Sequence, residues 1–301
     1  MMREEANTTA AVTPPERDKN ILEENMRQYW NYRSEIYPSS RGSSLPACKD
    51  ISLSLQAGQT LGIVGESGCG KSTFLRILVG LETPDAGEIL LEGHKISGLK
   101  GTSLREARKK IQMVFQDPLN SFHPKMKVKN ILCEPLLNYR LIRRKEIPEK
   151  ARELLRMVDL PEDFAERYPR NLSGGQCQRI AIARALALKP DILICDEATS
   201  ALDAAAQKSI AKLLVRLQNE QHLSIIFVSH DLALVQQISH RVAVMYLGRI
   251  LELMDASDVA SHARHPYTRM MLDSVFSLPV DFPRRNSTPE GGPPAPRFRA
   301  H

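Results

Sequence analysis

Gly65-Glu66-Ser67-Gly68-Cys69-Gly70-Lys71-Ser72-Thr73 is the stretch whose reading decides the fold. An apolar run, Thr60-Leu61-Gly62-Ile63-Val64, precedes it, and a helical run, Thr73-Phe74-Leu75-Arg76-Ile77-Leu78-Val79, follows. Strand, glycine loop and helix in that order are what a phosphate-binding loop requires. Glycines let backbone N–H groups curl round an oxyanion without Cβ clashes, and the helix start adds unpaired donors and a favourable dipole. In such a loop Lys71 reaches the β- and γ-phosphates and the Ser72 hydroxyl sits on Mg²⁺. A glycine- and serine-rich turn is the plain alternative, and the loop by itself says no more than nucleotide binding.

Other apolar runs end in polar residues that chemistry can use. Ile111-Gln112-Met113-Val114-Phe115 leads to Gln116, which places the glutamine at a strand's carboxyl end, where open α/β sheets bind ligands. Asp191-Ile192-Leu193-Ile194-Cys195 delivers Asp196 and Glu197. Adjacent acids there cost solvation unless something uses them. Asp196 suits Mg²⁺, held directly or through a bound water, and Glu197 suits a general base on water. A solvated turn at the strand end is the alternative. Ser224-Ile225-Ile226-Phe227-Val228-Ser229 leads to His230, at the same topological edge as Gln116 and Glu197. A lone histidine is more often structural, and that shared edge argues for function. Leu172-Ser173-Gly174-Gly175-Gln176 opens a helix running over Gln178–Leu188 and stopped by Lys189-Pro190. It is a second glycine-bearing helix start and hence a second anion site, or else an N-cap serine followed by flexible glycines.

Between these runs the pattern is simpler. Asp50–Leu55 alternates as a half-exposed strand, and Gly80 fits the C-terminal cap of the first helix. Glu88–Gly93 reads as a short strand, Leu104–Lys110 as a basic helix, and Leu119 to about Pro169 as a helical, charge-rich insertion. A helix spans Ala204 to about Gln221, and two short strands flank Leu247-Gly248-Arg249 as a hairpin. Residues 1–20 lack apolar periodicity and read as a disordered lead-in, and the Pro/Gly-rich stretch Phe282–Pro294 reads as a disordered tail. The aromatic patch Tyr29-Trp30-Asn31-Tyr32, with Tyr37 beyond it, offers core packing or a flat face for a purine.

Composition sets outer bounds. The 301 residues, 42% hydrophobic and 25% charged, are ordinary for a globular protein with a sizeable core. No run of about 18 apolar residues exists to span a membrane, and the polar first twenty residues have no apolar stretch of signal-peptide type. Five cysteines (Cys48, Cys69, Cys133, Cys177, Cys195) without paired spacing read as reduced thiols, not a disulfide or zinc framework. The net charge of +6 is modest, and scattered surface lysines and arginines account for it without a nucleic-acid partner.

Taken together, these motifs resemble the nucleotide-binding subunit of an ATP-binding cassette transporter. Gly65–Thr73 is similar to Walker A, Gln116 to the Q-loop glutamine, and Leu172–Gln176 to the signature LSGGQ. Ile192–Glu197 is similar to Walker B with its catalytic glutamate, Ser200–Asp203 to the D-loop, and His230 to the switch histidine. The match runs from about Cys48 to Leu253. A finer resemblance, to the dipeptide, oligopeptide and nickel importer branch, lies in Gly65–Gly70, Gln112–Pro118, Ile131–Leu136 and His265-Pro266-Tyr267-Thr268. The chain departs from that branch at Cys195, Cys177 and His123, and it has no cysteine after Cys195 for the iron–sulfur cluster of some members.

The resemblance implies an α/β fold: a P-loop NTPase, RecA-like core of mixed sheet with an antiparallel β subdomain and a helical signature subdomain. The expected layout is a cassette over 21–260, its helical part at about 119–180, and a C-terminal extension over 261–301. ATP and Mg²⁺ are the implied ligands. Gly65, Glu66, Ser67, Gly68, Cys69, Gly70, Lys71, Ser72 and Thr73 hold the phosphates, Tyr29 stacks on adenine (Trp30 and Tyr37 are its rivals), and Ser173 and Gly175 close on ATP from a partner. Ser72, Gln116 and Asp196 face the metal, and Glu197, His230, Gln116 and Lys71 serve hydrolysis. Implied partners are a second ATPase subunit, identical or different, two transmembrane permeases and an extracytoplasmic substrate-binding protein. The chain would then lie peripherally on the cytoplasmic face of the plasma membrane and power uptake of peptides, nickel or metal–opine complexes. The His265–Thr268 motif also occurs in a carbon–phosphorus lyase accessory branch, so a soluble, non-transport cassette ATPase is the second reading. An exporter ATPase is a third, and it is often fused to membrane helices that this sequence lacks.

Overall fold

The computed structural model describes residues 47–200 and 202–273, together with the backbone of 30–33. The expectations for the lead-in, Tyr29, the Trp30 side chain, Tyr37 and the Pro/Gly-rich tail lie outside those residues.

A six-stranded sheet forms the centre. Its strands are β3 (Thr60–Val64), β6 (Ile111–Val114), β7 (Ile192–Asp196), β8 (Ser224–Ser229), β9 (Arg241–Tyr246) and β10 (Arg249–Asp255), in the order β10-β9-β3-β8-β7-β6. All neighbours pair parallel except β9 and β10, the antiparallel hairpin. Because β3, β7 and β8 are covered on both faces, they read as continuous apolar runs rather than alternating ones. Alternate side chains still serve different layers. Ile194, Ile226 and Val228 pack with Phe74, Leu75 and Leu78 of α1 (Lys71–Leu78), whereas Leu193, Cys195, Ile225 and Phe227 pack with the helices of the opposite face.

A second, antiparallel sheet lies over the α1 layer. It is built from β1 (Trp30–Arg33), β2 (Ser52–Leu55), β4 (Glu88–Leu91) and β5 (His94–Lys95) in the order β2-β1-β4-β5. β1 sits where the sequence suggested only an aromatic patch. Its existence depends on pairing with β2 and β4 from distant segments, which no local pattern announces. Leu53, Leu55, Ile89 and Leu91 turn inward on alternate positions, as expected of a half-covered sheet.

The opposite face carries α4 (Val128–Asn138), α5 (Ile147–Met157), α6 (Gly174–Leu186), α7 (Ala204–Gln221) and α8 (Leu232–Ile238); α2 (Gly101–Lys110) and the short α3 (Pro118–Ser121) lead into and out of β6. Two helices begin earlier than their apolar periodicity suggests. α2 starts at Gly101, and α6 starts at Gly174 because Ser173 and Gln176 form a capping box that draws both glycines into the first turn. Among the described residues, chain order closes with α9 (Val259–His262) and α10 (Pro266–Asp273). Among the described residues, no helix is long and apolar enough to cross a membrane.

The sheet leaves no slack at β3. A Cβ on Gly62 would lie 2.2 Å from Val235 Cγ1 and 2.5 Å from Ser239 Oγ, both from the α8 region. Gly62→Ala is therefore expected to lower unfolding stability by about 1–3 kcal/mol through overpacking, measurable as a reduced denaturant midpoint.

Candidate nucleotide site

Four neighbouring parallel strands, β6, β7, β8 and β3, end at one edge of the sheet, and the residues that follow them form the site. β3 runs into the loop 65–70. The loop must pass close to its surroundings. A Cβ on Gly70 would fall 2.0 Å from the Ala47 carbonyl, and Gly70 has φ +108°, a left-handed conformation that disfavours any side chain. A Cβ on Gly65 would fall 2.1 Å from the Met245 carbonyl. Gly248 N–H donates to the Cys69 carbonyl at 2.8 Å, so the β9–β10 turn supports the loop from behind.

Lys71 begins α1 and is 4% exposed. Its ammonium donates to the Gly65 and Glu66 carbonyls at 2.6 and 2.8 Å and lies 3.7 Å from Glu197 Oε1. A buried cation is thus held by the loop and faces the acid at the end of β7. Ser72 donates to Asp196 Oδ1 at 3.3 Å. Burial pushes the Asp196 carboxyl up, and the bond from Ser72 pulls it back. A buried carboxylate beside a hydroxyl is a hard, all-oxygen pair. Among the described residues no group of three or more His, Cys, Asp or Glu side chains could hold a metal alone. That donor set fits Mg²⁺, which takes few protein ligands and completes its shell with water and phosphate oxygens.

Glu197 sits at φ +45°, in the left-handed region, with its N–H donating to the Val228 carbonyl at 3.0 Å. For a non-glycine residue that conformation is strained, and such strain concentrates at functional sites. Its carboxylate accepts from Gln116 Nε2 at 3.0 Å, and the same amide lies 3.4 Å from Ser200 Oγ. Ser200 in turn donates to the Glu197 carbonyl at 3.0 Å. The expected residues Lys71, Ser72, Gln116, Asp196 and Glu197 therefore converge. Ser200 joins them, known beforehand only as the first residue of a motif.

His230 follows β8 at the same edge and is exposed, and no hydrogen bond reaches its ring among the described residues. Asp231 beside it caps α8 by accepting from Leu234 N–H at 3.0 Å. Ser173 and Gly175 are not part of this cluster. Ser173 caps α6, and a Cβ on Gly174 or Gly175 would meet Leu202 at 3.2 Å or Ala206 at 3.5 Å. No hydrogen bond or ion pair among the described residues joins either residue to the loop 65–73. Tyr29, expected at the adenine, lies outside the described residues. Sequence reading also missed Tyr267, whose hydroxyl accepts from Glu66 N–H at 3.0 Å. The partners are 201 positions apart, and no local signal links them.

A glycine loop between a parallel strand and a helix, facing an acid pair at the end of another strand of the same sheet, defines a P-loop nucleoside triphosphatase. The profile of the ABC transporter family matches residues 48–200, and the chain belongs to that family as one of its ATPases. The chain is 48% identical over 239 residues to a probable peptide ABC transporter ATP-binding protein, y4tS, of Sinorhizobium fredii, covering 79% of this chain and 67% of the relative. It is 45% identical over 259 residues to the oligopeptide transport ATP-binding protein AppF of Bacillus subtilis, covering 85% and 78%. Among solved structures, the dimeric post-hydrolysis state of the ATP-binding cassette MJ0796 bound to ADP and Pi superposes with a TM-score of 0.67 at 32% identity, covering 75% of this chain and 98% of that one. The protein cbiO1 from Clostridium perfringens, part of the ABC transporter complex cbiONQ, superposes with a TM-score of 0.70 at 30% identity, covering 78% and 92%.

Proposed function

We propose that the chain is the ATP-hydrolysing subunit of a membrane importer for peptides, with the cassette over 21–260 and an extension over 261–301. The observation that carries the catalytic half is the convergence of Lys71, Ser72, Asp196, Glu197 and Gln116 at one sheet edge. Kinship with the peptide and oligopeptide ATP-binding proteins supports the cargo class. Nickel and metal–opine complexes, the other cargoes of the resembled branch, have no such support.

In this reading the N–H groups of the Gly65–Thr73 loop other than that of Glu66, which donates to Tyr267, hold the β- and γ-phosphates of ATP together with the Lys71 ammonium. Ser72 and Asp196, and in this reading Gln116 as well, would hold Mg²⁺, which neutralises phosphate charge when bound. Glu197 orients and deprotonates the attacking water, and Gln116 fixes the carboxylate through the bond at 3.0 Å. His230, exposed at the same edge, contacts the γ-phosphate once ATP is present. Ser173 and Gly175 make no bond to the chain's own loop among the described residues, and in this reading they serve the ATP of a second ATPase subunit, whose signature helix completes this chain's site in return.

Two permeases are the proposed membrane partners, with an extracytoplasmic binding protein delivering the cargo. That arrangement puts the chain on the cytoplasmic face. A groove of about 190 Å³ supports a permease contact: it is lined by Met113, Phe115, Phe122, Pro135 and Arg184. Phe115 and Leu119 are large apolar side chains left 45% and 46% exposed beside Gln116. A segment docked there would touch the Gln116 loop directly and so sense its state.

Purification of the tagged full chain from its native membrane tests the proposal. Recovery with two permease chains, and ATPase activity stimulated by peptide-loaded binding protein, are expected. Recovery in a soluble complex without permeases would favour the carbon–phosphorus lyase type of reading instead.

A further inference from the structure

The motif His265-Pro266-Tyr267-Thr268 has no part in the function described so far, yet it is built into the site. Glu252 on β10 accepts at Oε1 from the N–H groups of Arg264 and His265, at 2.7 and 2.9 Å. His265 Nδ1 accepts from Tyr267 N–H at 3.1 Å, and Pro266 opens α10, where its missing N–H costs nothing. The start of α10 is therefore fixed on the hairpin by one carboxylate. From that start the buried Tyr267 ring lies 4.5 Å from the Tyr246 ring at 41°, and its hydroxyl reaches the Glu66 N–H.

The Gly65–Glu66 peptide is thus gripped at both ends. Its N–H, from Glu66, donates to the Tyr267 hydroxyl, while its carbonyl, from Gly65, accepts from Lys71, the cation that a triphosphate needs. We propose that Tyr267 is a positioning residue for the phosphate loop, its hydroxyl fixing the Gly65–Glu66 peptide, and that Glu252 acts through it by anchoring the start of α10. This inference rests on the ATPase reading and extends it, because it makes nucleotide affinity depend on the C-terminal extension. A loop held in its binding shape loses less freedom when ATP arrives. The same shape serves ground state and transition state, so loosening it removes uniform binding: KM rises and kcat stays.

The test is steady-state ATPase kinetics on the full chain assembled with its second ATPase subunit. Tyr267→Phe keeps the ring against Tyr246 and removes only the hydroxyl. It is expected to raise KM for ATP roughly fivefold, the usual worth of one hydrogen bond, with kcat within about twofold of wild type. Glu252→Ala is expected to shift KM in the same direction. The double variant should shift KM no further than the larger single one, because both act through one contact. An unmoved KM, a lowered kcat at constant KM, or multiplying effects in the double variant would each overturn the inference. Should Tyr267→Phe fail to fold, 3-fluorotyrosine placed at 267 gives a second readout. Its fluorine resonance is expected to shift when Mg-ATP is added, and a resonance that ignores Mg-ATP overturns the proposal. The wild-type control separates the two claims. A wild type that hydrolyses no ATP refutes the ATPase reading, whereas an active wild type with an indifferent Tyr267→Phe refutes only this inference.

Discussion

Glu197→Gln will bind ATP with an affinity within about threefold of wild type and hydrolyse it at least about a hundredfold more slowly, the usual range for loss of a general base. The geometry separates the two effects. Glu197 touches the loop only through its Oε1, 3.7 Å from Lys71 Nζ, so the phosphate cradle outlives the change. A glutamine is close in shape, can still accept from Gln116 Nε2, and keeps the strained backbone whose N–H donates to Val228. What it cannot do is take a proton from water. ATP then persists between the two subunits, and the variant accumulates as a closed dimer. Equilibrium binding of a fluorescent ATP analogue alongside phosphate release measures both halves. Turnover close to wild type would remove Glu197 from the role of base.

Lys71→Ala is expected to lose both binding and turnover, with kcat/KM down by roughly a hundred- to a thousandfold, as for removal of a preorganised charge-stabilising donor. Lys71 is the one cation of the convergent cluster, buried and already desolvated, so its attraction for a triphosphate is little screened. It also ties the Gly65 and Glu66 carbonyls together, and its loss frees the loop that the remaining N–H groups need. Lys71→Arg should not rescue activity, because a planar fork cannot reproduce two short bonds from a compact ammonium. Isothermal titration with Mg-ATP and a coupled ATPase assay would measure the two losses. Retained affinity in Lys71→Ala would contradict the cradle as described.

How much of this was legible in the sequence follows from the range of each interaction. β3, β7 and β8 were legible because apolar runs of five or six residues, bounded by turns and ending in polar groups, are local signals. The helix over Ala204–Gln221 was legible end to end, since Asp203 caps one end and accepts from Ala206 N–H. The placement of Gln116, Asp196, Glu197 and His230 at one edge followed from parallel strand order. Other features depend on partners far along the chain. β1 exists only by pairing with β2 and β4. The left-handed Glu197 donates its N–H to the Val228 carbonyl of another strand, and Tyr267 meets Glu66 across 201 positions. α8 was missed for a different reason. At seven residues, directly after a strand end, its pattern is too short to separate from the turn that opens it.

The central claim is that Gly65–Thr73 is half a site, completed by another subunit's signature helix. Ser173 is the residue that distinguishes this from a self-contained site, because among the described residues it bonds within its own capping box and not to the chain's loop. The most direct measurement uses dimers of two distinguishable ATPase subunits, only one carrying Ser173→Arg, with hydrolysis followed separately at each subunit's loop by trapping of a photoreactive ATP analogue. Trapping is expected to disappear from the unaltered partner's loop and to persist at the loop of the Ser173→Arg chain. Loss at the altered chain's own loop, with the partner unaffected, would contradict the account.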